Sequence, residues 1–215
     1  MNRPPLTDRM LDRAEAALRD RPAALARQFE DWAGDPQRDD VEDAATLLVE
    51  ASEAWVRAGE PEQAVDAARR AVEAGHDVAP DTRCYLVGAL LAAGRTGDAD
   101  AVAAEVRRSR RGDTFVLSFL GESYEEAGHL VEAHRWFTMG LAAAERGGDP
   151  AGAAPALLAG RFRVRRELDL PVDEDDQEYA DLVVEDLEVD GVDVAAEAAA
   201  LMKEDGSNPD AFFRR

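Results

Sequence analysis

Three glycines set the ground plan of this chain. Gly59, Gly94 and Gly128 stand 35 and 34 residues apart. Each is followed five residues later by an alanine (Ala64, Ala99, Ala133) and preceded four residues earlier by a large side chain (Trp55, Leu90, Tyr124). One helical turn further back come Ala51, Leu86 and Leu120, on the same helix face. Glycine suits a tight reversal between two helices, alanine lets the second helix approach the first, and the bulky residue fills the space beside it. A self-similar period of this length marks stacked helix pairs, each unit burying its apolar face on its neighbours.

The rest of the sequence agrees with that plan. Helical periodicity predicts helices over about 6–19, 22–33, 41–58, 61–75, 80–93, 97–110, 114–127, 130–146, 150–168, 174–189 and 193–204, separated by Gly, Pro and Asp clusters. No stretch alternates with period two for long enough to make a strand. Alanine, the best helix former, supplies 42 of the 215 residues, and an all-α fold is expected.

At these residues the chain resembles the tetratricopeptide repeat family, a 34-residue helix–turn–helix unit. The unit Thr114 to Gly147 carries Leu117, Leu120-Gly121, Tyr124, Gly128, Ala133 and Phe137 at family spacing. The unit Ala45 to Ala79 keeps Leu48, Trp55, Gly59, Ala64 and Ala71, with Ser52 at the small-residue position. The unit Pro80 to Gly112 departs further, with Arg83 at an apolar position and Val87 at the small one. None ends in the family's proline; His76, Arg111 and Glu145 stand there. The resemblance implies a right-handed superhelical array of antiparallel helix pairs, an α-solenoid, with capping helices at both ends. Its repeats would span 45–79, 80–112 and 114–147 of a domain covering 1–168, leaving an acidic helical extension over 169–215.

Residues 1–40 fall out of period and read as two helices capping the first repeat. At the far end Asp149 is expected as N-cap, with Pro150 at the first helical position. The segment from Gly160 to Pro171 resembles one that follows repeats in bacterial proteins ending in a SEC-C zinc motif. The tail lacks that motif's cysteines, so the resemblance implies no zinc site, only a bacterial, actinobacterial origin. From Glu167 to Asp190 there are twelve acidic residues and no basic one. That segment reads as a solvated helix docked through Leu182, Val183 and Leu187, or else as a mobile acidic interaction tail.

Charge excludes several functions. With 25 basic and 46 acidic residues the formal net charge is −21, which repels nucleic-acid backbones and anionic membranes. Cys84 is the only cysteine, so no intrachain disulfide can form and a reducing cytoplasm fits best. The N-terminal stretch has no apolar signal-peptide core. The arginine clusters Arg107–Arg111 and Arg161–Arg166 could hold an anion, but they also complement helix C-termini and nearby acids. Catalytic signatures are missing: Lys203, the sole lysine, sits in no glycine loop, and no serine occupies a nucleophile elbow. His76, His129 and His134 are not spaced as a metal pair.

One cation pattern stands out. Asp186, Glu188, Asp190, Gly191 and Glu197 fall at positions one, three, five, six and twelve of a calcium loop. Glutamate at position three, Asp193 at position eight and the absence of apolar spacing in the incoming helix argue against it. Gly191 ending one helix and Asp193 capping the next is the simpler reading.

A non-catalytic protein- or peptide-binding scaffold is therefore expected, without cofactor or metal. The alternative is a ligand-responsive regulator or an accessory subunit of an enzyme or secretion-related complex. The repeat resemblance implies that the first helix of each unit lines a concave face. In this numbering it presents Val49, Glu50, Glu53 and Arg57, then Cys84, Tyr85 and Gly88, then Phe115, Ser118, Phe119, Glu122 and Glu126. The binding residues expected are Glu50, Glu53, Arg57, Tyr85, Phe115, Ser118, Phe119, Glu122 and Glu126, with Tyr85, Phe115 and Phe119 as an aromatic floor. A basic segment with apolar anchors is the complementary partner. Because no metal is expected, a chelator should leave the melting temperature unchanged by circular dichroism. A drop that calcium restores would assign the Asp186–Glu197 loop to that ion.

Overall fold

The computed structural model describes residues 3–180, apart from 148, 151 and 178. It divides the chain into two compact units, Met1–Leu168 and Asp169–Arg215. Nine helices are assigned in the first: α1 (Asp8–Leu18), α2 (Pro22–Gly34), α3 (Ala44–Arg57), α4 (Pro61–Ala74), α5 (Thr82–Ala92), α6 (Thr96–Ser109), α7 (Thr114–Glu126), α8 (Leu130–Gly147) and α9 (Ala154–Glu167). Among the described residues there is no strand, and no helix is long and apolar enough to cross a membrane. In the second unit, residues 174–177 are helical, and the Asp173 and Asp176 backbone amides each donate to the other's carboxylate. The Asp186–Glu197 loop and the expected helix over 193–204 lie outside the described residues.

Local chemistry explains where the helices begin. Asp43, Asp81 and Asp113 stand at the N-caps of α3, α5 and α7, their carboxylates accepting from Thr46, Arg83, and both Phe115 and Val116 backbone amides. Each cap satisfies donors that the first turn leaves orphaned. The turns after these helices are equally uniform. Gly59, Gly94 and Gly128 adopt left-handed φ values of 73°, 68° and 77°, which glycine alone reaches without a side-chain penalty. The next amide then donates back to the bulky residue: Glu60 to the Trp55 carbonyl, Arg95 to Leu90 and His129 to Tyr124.

Neighbouring helices pack in chain order. α3 packs against α4, α5 against α6 and α7 against α8; α3, α5, α7 and α9 also touch in succession. Ala64, Ala99 and Ala133 are fully buried at these seams, as the glycine–alanine columns predict. α2 packs extensively on α3, with Phe29 and Ala33 buried. The N-terminal approach is pinned by Asp40, whose carboxylate takes Arg3 and the Leu6 and Gln37 amides, seating Leu6 in the core. The Arg3 guanidinium holds the Asp40 carboxyl well below the usual range, against the effect of burial.

The tightest packing joins α7, α8 and α9. Phe137 of α8 is fully buried, with Gly121 of α7 and Gly160 of α9 pressed on its ring and Gly140 against Leu157. A Cβ at Gly121 would lie 2.5 Å from the Phe137 ring. The entry to α9 differs from expectation. The helix begins at Ala154 with Pro155 in its first turn, not at Asp149 and Pro150. Asp149 instead spans the preceding loop, accepting from the Thr114 hydroxyl on α7 and the Ala154 amide.

Two predictions follow from this packing. Gly121→Ala should destabilise the fold by about 1–3 kcal/mol despite alanine's better helix propensity, because Phe137 has no room to retreat. Ala133→Leu should do the same, and chemical denaturation measures both. The second prediction concerns acid. Burial opposes ionisation of Asp81, but Arg83 and Arg110 outweigh it and hold its pKa at about 2, below the ordinary 3.8. A depressed carboxylate stabilises the fold fully above its unfolded pKa and loses that contribution as pH falls through the folded value. Asp81→Asn should therefore remove roughly 1–2 kcal/mol at pH 7 and flatten the loss of stability between about pH 5 and pH 2.

Candidate functional site

A groove lies across α3, α5 and α7. It encloses about 430 Å³ and is lined by Ser52, Glu53, Val56 and Arg57 of α3, by Tyr85, Gly88, Ala89 and Ala92 of α5, and by Phe119, Ser123, Glu126 and Ala127 at the α7 side. The residues that α5, which touches both α3 and α7, adds after Tyr85 are all small: Gly88, Ala89 and Ala92. Tyr85 and Phe119, the most N-terminal lining residues of their helices, meet edge to face with centroids 4.9 Å apart. The Tyr85 hydroxyl donates to the Ala79 carbonyl at 2.7 Å, which fixes the ring. Val56 adds an exposed apolar side chain on the opposite wall.

The groove is electrostatically loaded. Desolvation raises the Glu53 pKa, Glu126 raises it further, and Arg57 one turn along opposes both. Glu50 is raised too, by desolvation first and then by Glu53, Glu15 and Glu42, with Arg57 again opposing. The same environment pushes the Tyr85 hydroxyl up to about 12. Arg57 is the only basic side chain lining the groove, and among the described residues it makes no salt bridge. The lining thus presents two carboxylates and one guanidinium beside an aromatic pair.

Five of the nine binding residues expected from sequence come together here: Glu53, Arg57, Tyr85, Phe119 and Glu126. Four do not line the groove. Glu50 sits beside it, within electrostatic reach of Glu53 and Tyr85. Glu122 lies one turn back from Glu126 and accepts from the Ser118 hydroxyl at 3.2 Å. Ser118 is itself buried, and so are Val49 and Cys84, because this column turns into the helix seams rather than toward solvent. Phe115 is exposed in the first turn of α7, outside the groove, so the aromatic surface is a pair and not a three-residue floor. Val56, Ala89, Ala92, Ser123 and Ala127 line the groove without having been singled out. The first four sit three or four residues from expected positions, the spacing that a helix face would have suggested, and Ala127 follows Glu126 directly.

Several other reactive or charged groups are engaged structurally. The Cys84 thiol is fully buried and pushed up to about 12, chiefly by desolvation and then by Asp81, so it holds its proton. His76 meets Asp43 and His129 meets Thr96, on separate parts of the fold. Of the two arginine clusters, Arg110 pairs with Asp77 and Asp81, and Arg163 with Glu125. No family model matches the chain, and no curated protein matches it in sequence.

Proposed function

We propose that this chain is a non-catalytic binding scaffold, a tetratricopeptide-like array of antiparallel helix pairs wound right-handed and working in the cytoplasm. Its groove over α3, α5 and α7 takes a protein or peptide segment that carries a basic residue and an apolar anchor. One observation supports this reading above others: an edge-to-face aromatic pair and two solvent-accessible carboxylates share one groove of about 430 Å³. That size suits a few side chains. The Glu53 carboxylate, destabilised by partial desolvation and by the nearby Glu126, gains from an incoming cation, and the aromatic pair offers apolar area at small entropic expense. The burial of Cys84 and the separation of the histidines favour binding over catalysis.

The reading is tested with fluorescein-labelled peptides containing one phenylalanine and one lysine, followed by anisotropy. Phe119→Ala should weaken binding about tenfold while lowering stability by no more than about 1–2 kcal/mol, since the ring is only half-buried. Glu53→Lys combined with Glu126→Lys should weaken binding more than tenfold and remove its loss with rising salt. Unchanged affinity in both variants would remove the groove as the binding site.

A further inference from the structure

Four glycines lie within the described helices away from their ends: Gly88, Gly121, Gly140 and Gly160. Three have a packing reason. A Cβ at Gly121 or Gly160 would strike the Phe137 ring, and one at Gly140 would strike Leu157. Gly88 has none. A Cβ there would meet only the Ser123 hydroxyl oxygen, at an ordinary 3.8 Å. Glycine is the poorest helix former after proline, so its place in the middle of α5 weakens that helix with no return in packing. Both Gly88 and Ser123 line the groove, so the space a side chain would fill at Gly88 is groove space.

The residues around it divide the groove into two stations. Tyr85 and Phe119 form the apolar one, while Glu53 and Glu126 lie within electrostatic reach of each other and form the acidic one. From Phe119 to Glu126 is seven residues of helix, about 10 Å, a span that an extended peptide covers in about three residues. A chain joining the two stations in that direction passes over Gly88, Ala89 and Ala92, the small residues that α5 adds to the lining after Tyr85.

We propose that Gly88 is a specificity-determining contact of the groove: the partner's main chain lies against α5 there, between an apolar side chain on Tyr85–Phe119 and a basic one at Glu53–Glu126. The partner is an extended segment in which these two side chains stand about three residues apart. This rests on the binding role proposed above and adds the register. Only a bare backbone position on α5 lets a second backbone come this close.

The test uses fluorescein-labelled nonapeptides of serine and glycine carrying one phenylalanine and one lysine at separations of one to six. They are titrated against wild-type protein, Gly88→Ala and Gly88→Gln, with melting followed by circular dichroism. Wild type should favour a separation of about three. Gly88→Ala should melt about 2–4 °C higher and bind about tenfold more weakly, and Gly88→Gln should fold but bind no peptide. A lower melting temperature for Gly88→Ala would make this glycine structural and overturn the inference. Equal binding by Gly88→Gln, or indifference to separation, would overturn it while leaving the groove as the binding site. Failure of wild type to bind any of the peptides would remove both readings.

Discussion

The amide that follows Gly59, Gly94 and Gly128 donates to a carbonyl five residues back, at 3.0 Å from Glu60 to Trp55, 2.8 Å from Arg95 to Leu90 and 2.8 Å from His129 to Tyr124. Because the bond is made by backbone, it accepts an indole, an aliphatic or a phenol side chain at the same position. It ends α3, α5 and α7 at one common phase, so equivalent positions recur along the three helices. Glu53, Gly88 and Glu122 form one such column, and Arg57, Ala92 and Glu126 another. Where these columns reach α5 they meet glycine and alanine, both of which line the groove.

The seams between helices are of two kinds. α7, α8 and α9 interlock through glycines pressed on Phe137 and Leu157, a contact that tolerates no added methyl group. The approach of α6 to α7 is much narrower and is carried largely by polar groups. There the Tyr124 hydroxyl donates to Asp100 at 2.6 Å, and Thr96 meets His129. Burial and the adjoining Asp100 both push the Tyr124 hydroxyl upward, so it remains a donor. At the corresponding place on α3, Trp55 has no such acceptor; Arg27 of α2 covers its ring at 5.3 Å. Corresponding positions before the turn are thus secured by a hydrogen bond on α7 and by a cation over a ring on α3.

The helices were legible because their signals are local. A glycine at positive φ, an aspartate before a helix and an alanine one turn in act through backbone geometry and need no knowledge of the rest of the chain. The entrance to α9 was misread for a reason that is not local: Asp149 is drawn to Thr114, 35 residues away, and the helix waits for the second proline. The groove was half legible. Glu53, Tyr85 and Phe119 follow from the repeat phase, but a periodic column does not say whether it faces solvent or a neighbouring helix. Ser118 and Cys84 share a column with Val49, and all three are buried in a seam. Gly88 stands in the concave set that the resemblance implies, but sequence does not separate a glycine that packing demands from one beside open space, as this one is.

Charge gives the groove its character through the way arginines are distributed, not through the total of −21. Arg3, Arg70, Arg83, Arg95, Arg110 and Arg163 each hold an acid outside the groove, at Asp40, Glu30, Asp81, Asp98, Asp77 and Glu125. Arg57, the groove's own cation, lies one turn from Glu53 and opposes its raised pKa without cancelling it. At physiological salt, charges more than about 8 Å apart are largely screened, so the acidity of the outer surface acts mainly on the approach of a partner. Inside the groove, Glu53 is partly desolvated and feels Glu126 directly, which screening reduces far less. Repulsion already present in the free protein is what a cation placed there would relieve. On the binding role proposed above, specificity for a basic group would follow from an unfavourable interaction in the free groove as much as from a favourable one in the complex.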